Sequence, residues 1–403
     1  MSQTPIIVTG LDVGSKATRC VVSLLEEERL RILGFGEVPS QGWAKGRIVD
    51  QQAVSQCVHA AVREAEAMSQ TTVEAVVAGF GGASVRGANT RWVHDLRRPK
   101  EIQQYDIVTA MEKARQVHLP EGQMVLQVLW QDFVVDDQSG FRDPRNMIAS
   151  KLEANAHVVM ASAQEHENLV GAINRAHLAV DETIYEGVAS AYASVLPEER
   201  TEGVVVLDIG LHSTEMVCYL GDSTQLAMTL KVSGDNFSRD LARNYGIPFS
   251  AGAAVKEEFG SAMAEGTSPK SMVELPVPAL GGNAAREASR LEINQILEWR
   301  ARDLFVSVRE ELLRVGMARS IAGGVVLTGG GALLPGMCEI AEHVLQCHSH
   351  IGLTQGIRGW PEELNSPVWT TASGLSMYAA RLRSKVDSRR QSFGVLGRML
   401  GRQ

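Results

Sequence analysis

Along the chain, the apolar positions alternate between runs and a helical spacing. Residues 6–13 (IIVTGLDV) form a nearly continuous apolar, β-branched run ending at a turn on Gly14. Residues 19–25 and 29–38 are two more such runs, split by the charged turn Glu26-Glu27-Glu28, and each reads as a strand. Asp50 then precedes apolar residues at Val54, Cys57, Val58, Ala61, Val62, Ala65 and Met68. That spacing predicts a helix with one buried face, capped by the aspartate. Another strand reads at 73–78. The order is strand, strand, strand, helix, strand.

The same order restarts at residue 203. GVVVLDIG reads as a strand ending in a turn, MVCYLGD and LAMTLKV as two more strands, and NFSRDLARNYG as a helix. Asp12-Val13-Gly14 with Thr18 is matched by Asp208-Ile209-Gly210 with Thr214, 196 residues later. One long-period repeat predicts a duplicated domain with a cleft between the copies, not a solenoid. Residues 86–157 interrupt the first copy with a short strand near 90–93, a helix from about Asp106 to Val117, and strands near 124–136 and 151–160. They read as a small α+β insert. Residues 263–284, rich in Gly, Pro, Ser and Ala, read as a mobile loop between helices.

Composition narrows the class. The 403 residues are 44% hydrophobic and 21% charged, ordinary for a folded chain of two or three domains. No window approaches the ~18 to 20 apolar residues of a membrane-spanning helix, and the first residues lack the pattern of a secretory signal. Five scattered cysteines predict reduced thiols in a cytoplasmic protein. A net charge of -8 disfavours general nucleic-acid binding. That charge is uneven: residues 381–403 hold seven basic side chains against Asp387 alone.

Three loops carry the candidate chemistry. A strand ending in Asp-φ-Gly that turns straight into a second strand points backbone N–H groups into the turn, and Gly lets a phosphate approach them. The Asp suits a Mg²⁺ shell; Ser15 and Lys16 add a hydroxyl and a positive charge. The chain has two such hairpins. In the third loop, GVVLTGGGALLPGM (324–337), a buried strand ends in Gly329-Gly330-Gly331, where a flat nucleoside face can lie against bare backbone. Together they indicate a nucleotide held between two related domains.

This ordered set resembles the actin, Hsp70 and sugar-kinase superfamily, and within it FtsA, the bacterial actin-like family of cell division. The resemblance extends over nearly the whole chain through SQGWAKGRIVD (40–50), QDFVVDDQSGFRDPRN…LEANAHVVMAS, GVASAYASVL (187–196), GDNFSRDLARNYGI (234–247) and TASGLSMYAARL (371–382). It implies an α/β, actin-like fold: two related RNase-H-like domains around a nucleotide cleft, with an inserted small α+β subdomain. The expected organisation is a first domain from 1–85, 158–200 and a closing helix at 371–388, with the FtsA-type subdomain 1C at 86–157. The second domain takes 201–233 and 316–370 for its core and 234–315 for its outer subdomain, and a tail occupies 389–403.

By position, the resemblance implies ATP and Mg²⁺ as ligands. Asp12 and Asp208 would organise the metal, while Gly14, Ser15, Lys16, Gly210 and Ser213 would hold phosphates. Lys256 and Glu257 would line the adenosine pocket with Gly329, Gly330 and Gly331. Glu186 would orient the attacking water, with Asp208 as the second catalytic group. The implied partners are FtsZ, through its C-terminal peptide on the region around 235–315, further copies in a filament, later division proteins at 86–157, and anionic lipid at the inner face of the membrane at the division site. Leu211 and His212 depart from the family's usual Asp-Ile-Gly-Gly-Gly-Thr, and Ala83 stands where a histidine is frequent. Both favour binding over hydrolysis, so a slow ATPase at most is expected.

The tail has its own signal. At helical spacing Phe393, Val395, Leu396, Met399 and Leu400 share one face, with Arg398 and Arg402 opposite, the pattern of a helix lying in a membrane interface. Gly394, Gly397 and Gly401 each cost roughly 1 kcal/mol of helix propensity, so such a helix needs lipid to cover its apolar face. Two other classes remain open from sequence: a small-molecule kinase, which needs an acceptor pocket and base, and a pilus- or secretion-associated actin-like scaffold. Cys338, His343, Cys347, His348 and His350 fit no zinc spacing and read as structural. Gly34-Phe35-Gly36 and Gly79-Phe80-Gly81-Gly82 lack the context of a dinucleotide fingerprint.

Overall fold

The computed structural model describes residues 6–275 and 286–384. The tail at 389–403, with Phe393, Val395, Leu396, Arg398, Met399 and Leu400, and the stretch 276–284 lie outside the described residues. Two compact units divide the chain: Met1–Phe80, Glu167–Ser194 and Leu353–Gln403 in one, Gly81–His166 and Val195–Gly352 in the other.

The first unit is built on a six-stranded sheet. Its central strand Ile6–Val13 pairs antiparallel with Ala17–Glu26, which pairs antiparallel with Arg29–Pro39; on the other side it pairs parallel with Ala75–Phe80, itself parallel to Ala179–Tyr185. The helix Gln51–Ser69 is capped by Asp50, whose side chain accepts from Gln52 N and Ala53 N. It packs so closely on the sheet that a Cβ at Gly36 would stand 2.0 Å from Ala61 O. The pair Gly34 and Gly36 therefore serves helix–sheet packing, as expected of glycines outside a nucleotide fingerprint. The small-residue runs 187–196 and 371–382 have the same origin. Helix Glu186–Ser194 and the helix over 370–384 meet where a Gly374 Cβ would lie 1.8 Å from Ala189 O.

The second unit repeats the plan. Strands Val204–Ile209, Thr214–Leu220 and Ser223–Leu230 run antiparallel in succession, and Gly324–Thr328 and Ser349–Ile351 continue in parallel from the other side of the first. Every residue of Val204–Ile209 is buried, the mark of a strand covered on both faces. Helices Gly234–Tyr245, Phe249–Phe259 and Arg290–Arg314 lie between the third and fourth strands. Leu207, Ile209, Phe237, Leu241, Leu297, Leu304 and Phe305 share one core.

The same unit holds the insert, a four-stranded antiparallel sheet under the helix Gln104–Ala114. Its core of Leu96, Ile102, Ile107, Ala110, Ala114, Val135, Ala149, Leu152 and Ala154 is built only from insert residues. Three expectations need correction. The strand expected near 90–93 runs from Arg86 to Glu101; it is the sheet edge, so it carries exposed polar side chains and tolerates Pro99. The helix expected from Asp106 to Val117 spans Gln104–Ala114, because Asp106 is its N3 residue and bonds back to Gln103 N. Within the loop expected at 263–284, Met272–Leu275 is a strand paired with Arg286–Ser289, closing Val273 and Leu275 over the core.

Candidate functional site

In the first unit residues 14–17 join Val13 to Thr18, which pair directly. Asp12 is buried at the strand end and paired in register with Arg19. Arg19 Nη1 approaches Asp12 Oδ2 to 3.9 Å, while Nη2 bonds Glu37 Oε1 at 2.6 Å and the guanidinium lies 5.5 Å from the Trp369 ring. A largely buried cation is thus fixed beside the candidate metal ligand. The turn is tied down by Ser40: its Oγ donates to Gly14 O at 2.6 Å and its N to Lys16 O at 3.1 Å. Ser15 is half-buried and Lys16 exposed. Glu186 opens its helix directly after the strand Ala179–Tyr185, with its Cγ at 3.0 Å from where a Gly79 Cβ would stand. The carboxyl ends of three parallel-related strands, at Val13, Phe80 and Tyr185, lie at one end of the sheet, where α/β sheets bind ligands.

In the second unit the turn 210–213 joins Ile209 to Thr214 with the same number of residues, so Asp208 pairs with Glu215 as Asp12 does with Arg19. Both carboxyls are buried. Gly82 N donates to Glu215 Oε1 at 3.2 Å. Burial, first, and the neighbouring Asp208 carboxylate push Glu215 up to about 8, against hydrogen bonds from Ser213 and Gly82 that favour its charge. Gly329 follows the strand Gly324–Thr328 at φ 76°, and a Cβ there would stand 2.3 Å from Asp208 Oδ1; one at Gly331 would stand 2.2 Å from Ile209 Cγ2. The glycines after this strand are required by the approach to the Asp208 hairpin. Gly330 begins a short 3-10 turn, Gly330–Leu333, ahead of the helix Met337–Leu345.

The turn 210–213 is backed by a helix N-terminus: Gly234 N donates to Gly210 O and Asp235 N to Leu211 O. Lys256 Nζ donates to Gly234 O at 3.2 Å, which ties it to this assembly, whereas its neighbour Glu257 is exposed. Gly210 N is taken by Ser213 O at 2.9 Å. His212 Nδ1 is buried with no hydrogen-bond partner among the described residues, and burial lowers the imidazole pKa.

The structure brings Asp208, Gly210, Ser213, Lys256, Gly329, Gly330 and Gly331 together in one unit, and Asp12, Gly14, Ser15 and Lys16 on one turn of the other. Sequence reading passed over Arg19, Ser40 and Glu215. The signal for Arg19 and Glu215 was present: with equal turns, the residue seven after each Asp must face it. Among the described residues, no group of three or more His, Cys, Asp or Glu is arranged to hold a metal unaided.

Solved structures define the class. The chain matches the PilM-PilN type IV pilus biogenesis complex with a TM-score of 0.66 at 18% identity, covering 93% of this chain and 98% of that one. MreB5 of Spiroplasma citri bound to ADP gives 0.57 at 12%, covering 94% and 98%, and the MamK double helical filament 0.53 at 13%, covering 93% and 98%. The fold is actin-like, with an inserted subdomain. The family described as "SHS2 domain inserted in FTSA" matches residues 82–160, and "Cell division protein FtsA" matches 205–374. Cell division protein FtsA of Borreliella burgdorferi is 32% identical over 92% of this chain and 90% of its own length; that of Pseudomonas aeruginosa is 30% identical over 95% and 91%. The chain belongs to the FtsA family of cell-division proteins.

Proposed function

We propose that this chain binds ATP and Mg²⁺, polymerises, and tethers the FtsZ ring to the inner face of the cytoplasmic membrane at the division site. In this reading FtsZ docks its C-terminal peptide around 235–315, the tail 389–403 enters anionic lipid, and 86–157 recruits later division proteins. The observation that carries the nucleotide half is the repeated hairpin, with a buried Asp at the same register in each unit. MreB5, an actin-like relative in fold, is bound to ADP in one structure and to AMPPNP in another.

The residues suit the ligands. Asp208 and Glu215 are two buried carboxyls side by side, and a cation would offset both the burial and the repulsion that keep a proton on Glu215. Asp12 and Asp208 would hold Mg²⁺, which when bound supplies charge neutralisation for the phosphates. Arg19 holds Asp12 in place and offers a cation to phosphate. Gly14, Ser15, Lys16, Gly210 and Ser213 would line the phosphates, Gly329, Gly330 and Gly331 the adenosine face, with Lys256 and Glu257 beside it. Glu186 would orient water for hydrolysis. Leu211 and His212 replace bare backbone in the second turn, and Gly210 N is already spent within it, so turnover is expected to be slow.

The test is co-sedimentation with anionic vesicles, with and without Mg-ATP, for the full chain and for one ending at Arg390. ATP-strengthened pelleting that the truncation abolishes supports both halves of the proposal. No pelleting in any condition removes the tether and leaves the fold.

A further inference from the structure

The strand Ser223–Leu230 ends the five-stranded sheet of the second unit, with no further strand of that sheet beyond it among the described residues. Its sequence, STQLAMTL, contains no charged residue and no proline. Uncovered sheet edges in soluble proteins normally carry such residues, because a bare edge pairs with another strand. Here the edge is covered by a different device.

The insert lays one face of its sheet against this edge and satisfies it with side chains. Gln131 Nε2 donates to Thr224 O at 2.7 Å, Asn89 Nδ2 donates to Gln225 O at 3.3 Å, and Ala227 N donates to His157 Nε2 at 2.9 Å. Ser223 Oγ donates to Gln131 O at 3.1 Å. At the end of the strand, Arg142 donates to Gly221 O and pairs with Asp222. Asn89 Oδ1 and His157 Nδ1 lie 2.6 Å apart, which sets the proton on Nδ1 and leaves Nε2 as the acceptor. Gly87 makes the approach possible: a Cβ there would stand 2.1 Å from His157 Nε2 and 2.3 Å from Ala227 O.

Two features make this cover separable. It does not extend the sheet, since the insert strands and Ser223–Leu230 belong to different sheets. The insert also has a core built only from its own residues, and the core of the second unit includes none of them. Neither core therefore draws a residue from the other.

We propose that the insert is a detachable cap on the edge strand Ser223–Leu230, and that its release exposes a strand-pairing surface for the same edge of a second copy of this chain. An edge pairing antiparallel with itself is isologous and closes as a two-fold dimer. The uncharged strand places no like charges opposite one another in that arrangement.

The test uses the full chain with Gly87→Val to wedge the cap open and Gln225→Cys to report pairing. Hydrogen exchange at Ala227 N should quicken at least tenfold on release. At micromolar concentration, with oxidised glutathione as the electron acceptor, a disulfide-linked dimer should form through the introduced thiol, which Gln225→Cys alone does not form. Adding Ala227→Pro, which cannot pair, should abolish the dimer. An Asn89→Ala/Gln131→Ala pair, which weakens the cap without a wedge, should give the same direction if the valine disrupts folding. Protected exchange at Ala227 in both cap variants overturns the detachable cap. Rapid exchange without the dimer, or a dimer that survives Ala227→Pro, overturns the pairing surface.

Discussion

Acid should loosen the insert from the rest of the second unit before it disturbs either sheet. His157 must be uncharged to accept from Ala227 N, and burial holds its pKa down at about 4 against an ordinary ~6.5. The strand it meets, Ser223–Leu230, carries no charge to compensate. Neither the charged residues of its own strand, Lys151 and Glu153, nor those of the two strands paired with it, Arg86, Arg91 and Asp132 among them, are a cause of the shift. Because the folded value is depressed, the opened state takes up the proton first. The contribution is complete above pH ~6.5, drains away between there and pH 4, and changes no further below. A gap of about 2.5 units at about 1.4 kcal/mol each sets the loss at about 3 kcal/mol. Carboxylates titrate in the lower part of that window, so the comparison is with His157→Gln, which keeps a neutral acceptor. Denaturant unfolding from pH 7 to 4, with amide exchange at Ala227, should show the wild type losing about 3 kcal/mol more than the variant. Parallel pH profiles would refute the reasoning.

Other outcomes follow from single sites. Asp50→Ala removes the acceptor for Gln52 N and Ala53 N and should cost about 1 kcal/mol in thermal or chemical unfolding. Gly374→Val drives side-chain atoms into the backbone of Ala189; overpacking of this kind costs about 1–3 kcal/mol, visible as a lowered melting temperature with the fold retained. Glu215→Gln removes the carboxyl raised to about 8. Since a raised acid pKa destabilises as pH climbs from ~4.5 to 8, the variant should be more stable than wild type at pH 7 without nucleotide, and should show a weaker Mg²⁺ dependence of ATP-analogue binding measured by fluorescence titration. Burial pushes the thiols of Cys20 and, to about 12, Cys218 upward, so native labelling with a disulfide reagent at pH 8 should proceed at Cys338 and Cys347 and leave those two untouched until denaturant is added.

What could be read from the chain depended on how a residue's role is encoded. Both Asp-φ-Gly hairpins were legible because a fully buried strand must be an apolar run and the acid at its end stands out. Arg19 and Glu215 carry no local signature and become readable only once the two turns are taken as equal in length. Each acquires its place only through the pairing register opposite Asp12 or Asp208. Ser40 was inside a motif that marked the family, but its bond to Gly14 O spans 26 residues. Strand Arg86–Glu101 was mostly hidden because an exposed edge needs few apolar side chains, and Met272–Leu275 because four residues amid Gly, Pro and Ser give no periodicity. Asp50 was legible at once: a cap acts on the residues beside it.

The pairing inside the insert also has a use for protein engineering. Its first and last strands lie side by side, Arg86 facing Met160 across one ladder, so the chain leaves the segment within about 5 Å of where it came in. With its own core, such a segment behaves as a cassette. It can be cut out and bridged by a few residues, exchanged for the equivalent piece of a relative, or moved to a new host at any exposed turn, and the gap it leaves is no wider than the spacing of two neighbouring strands.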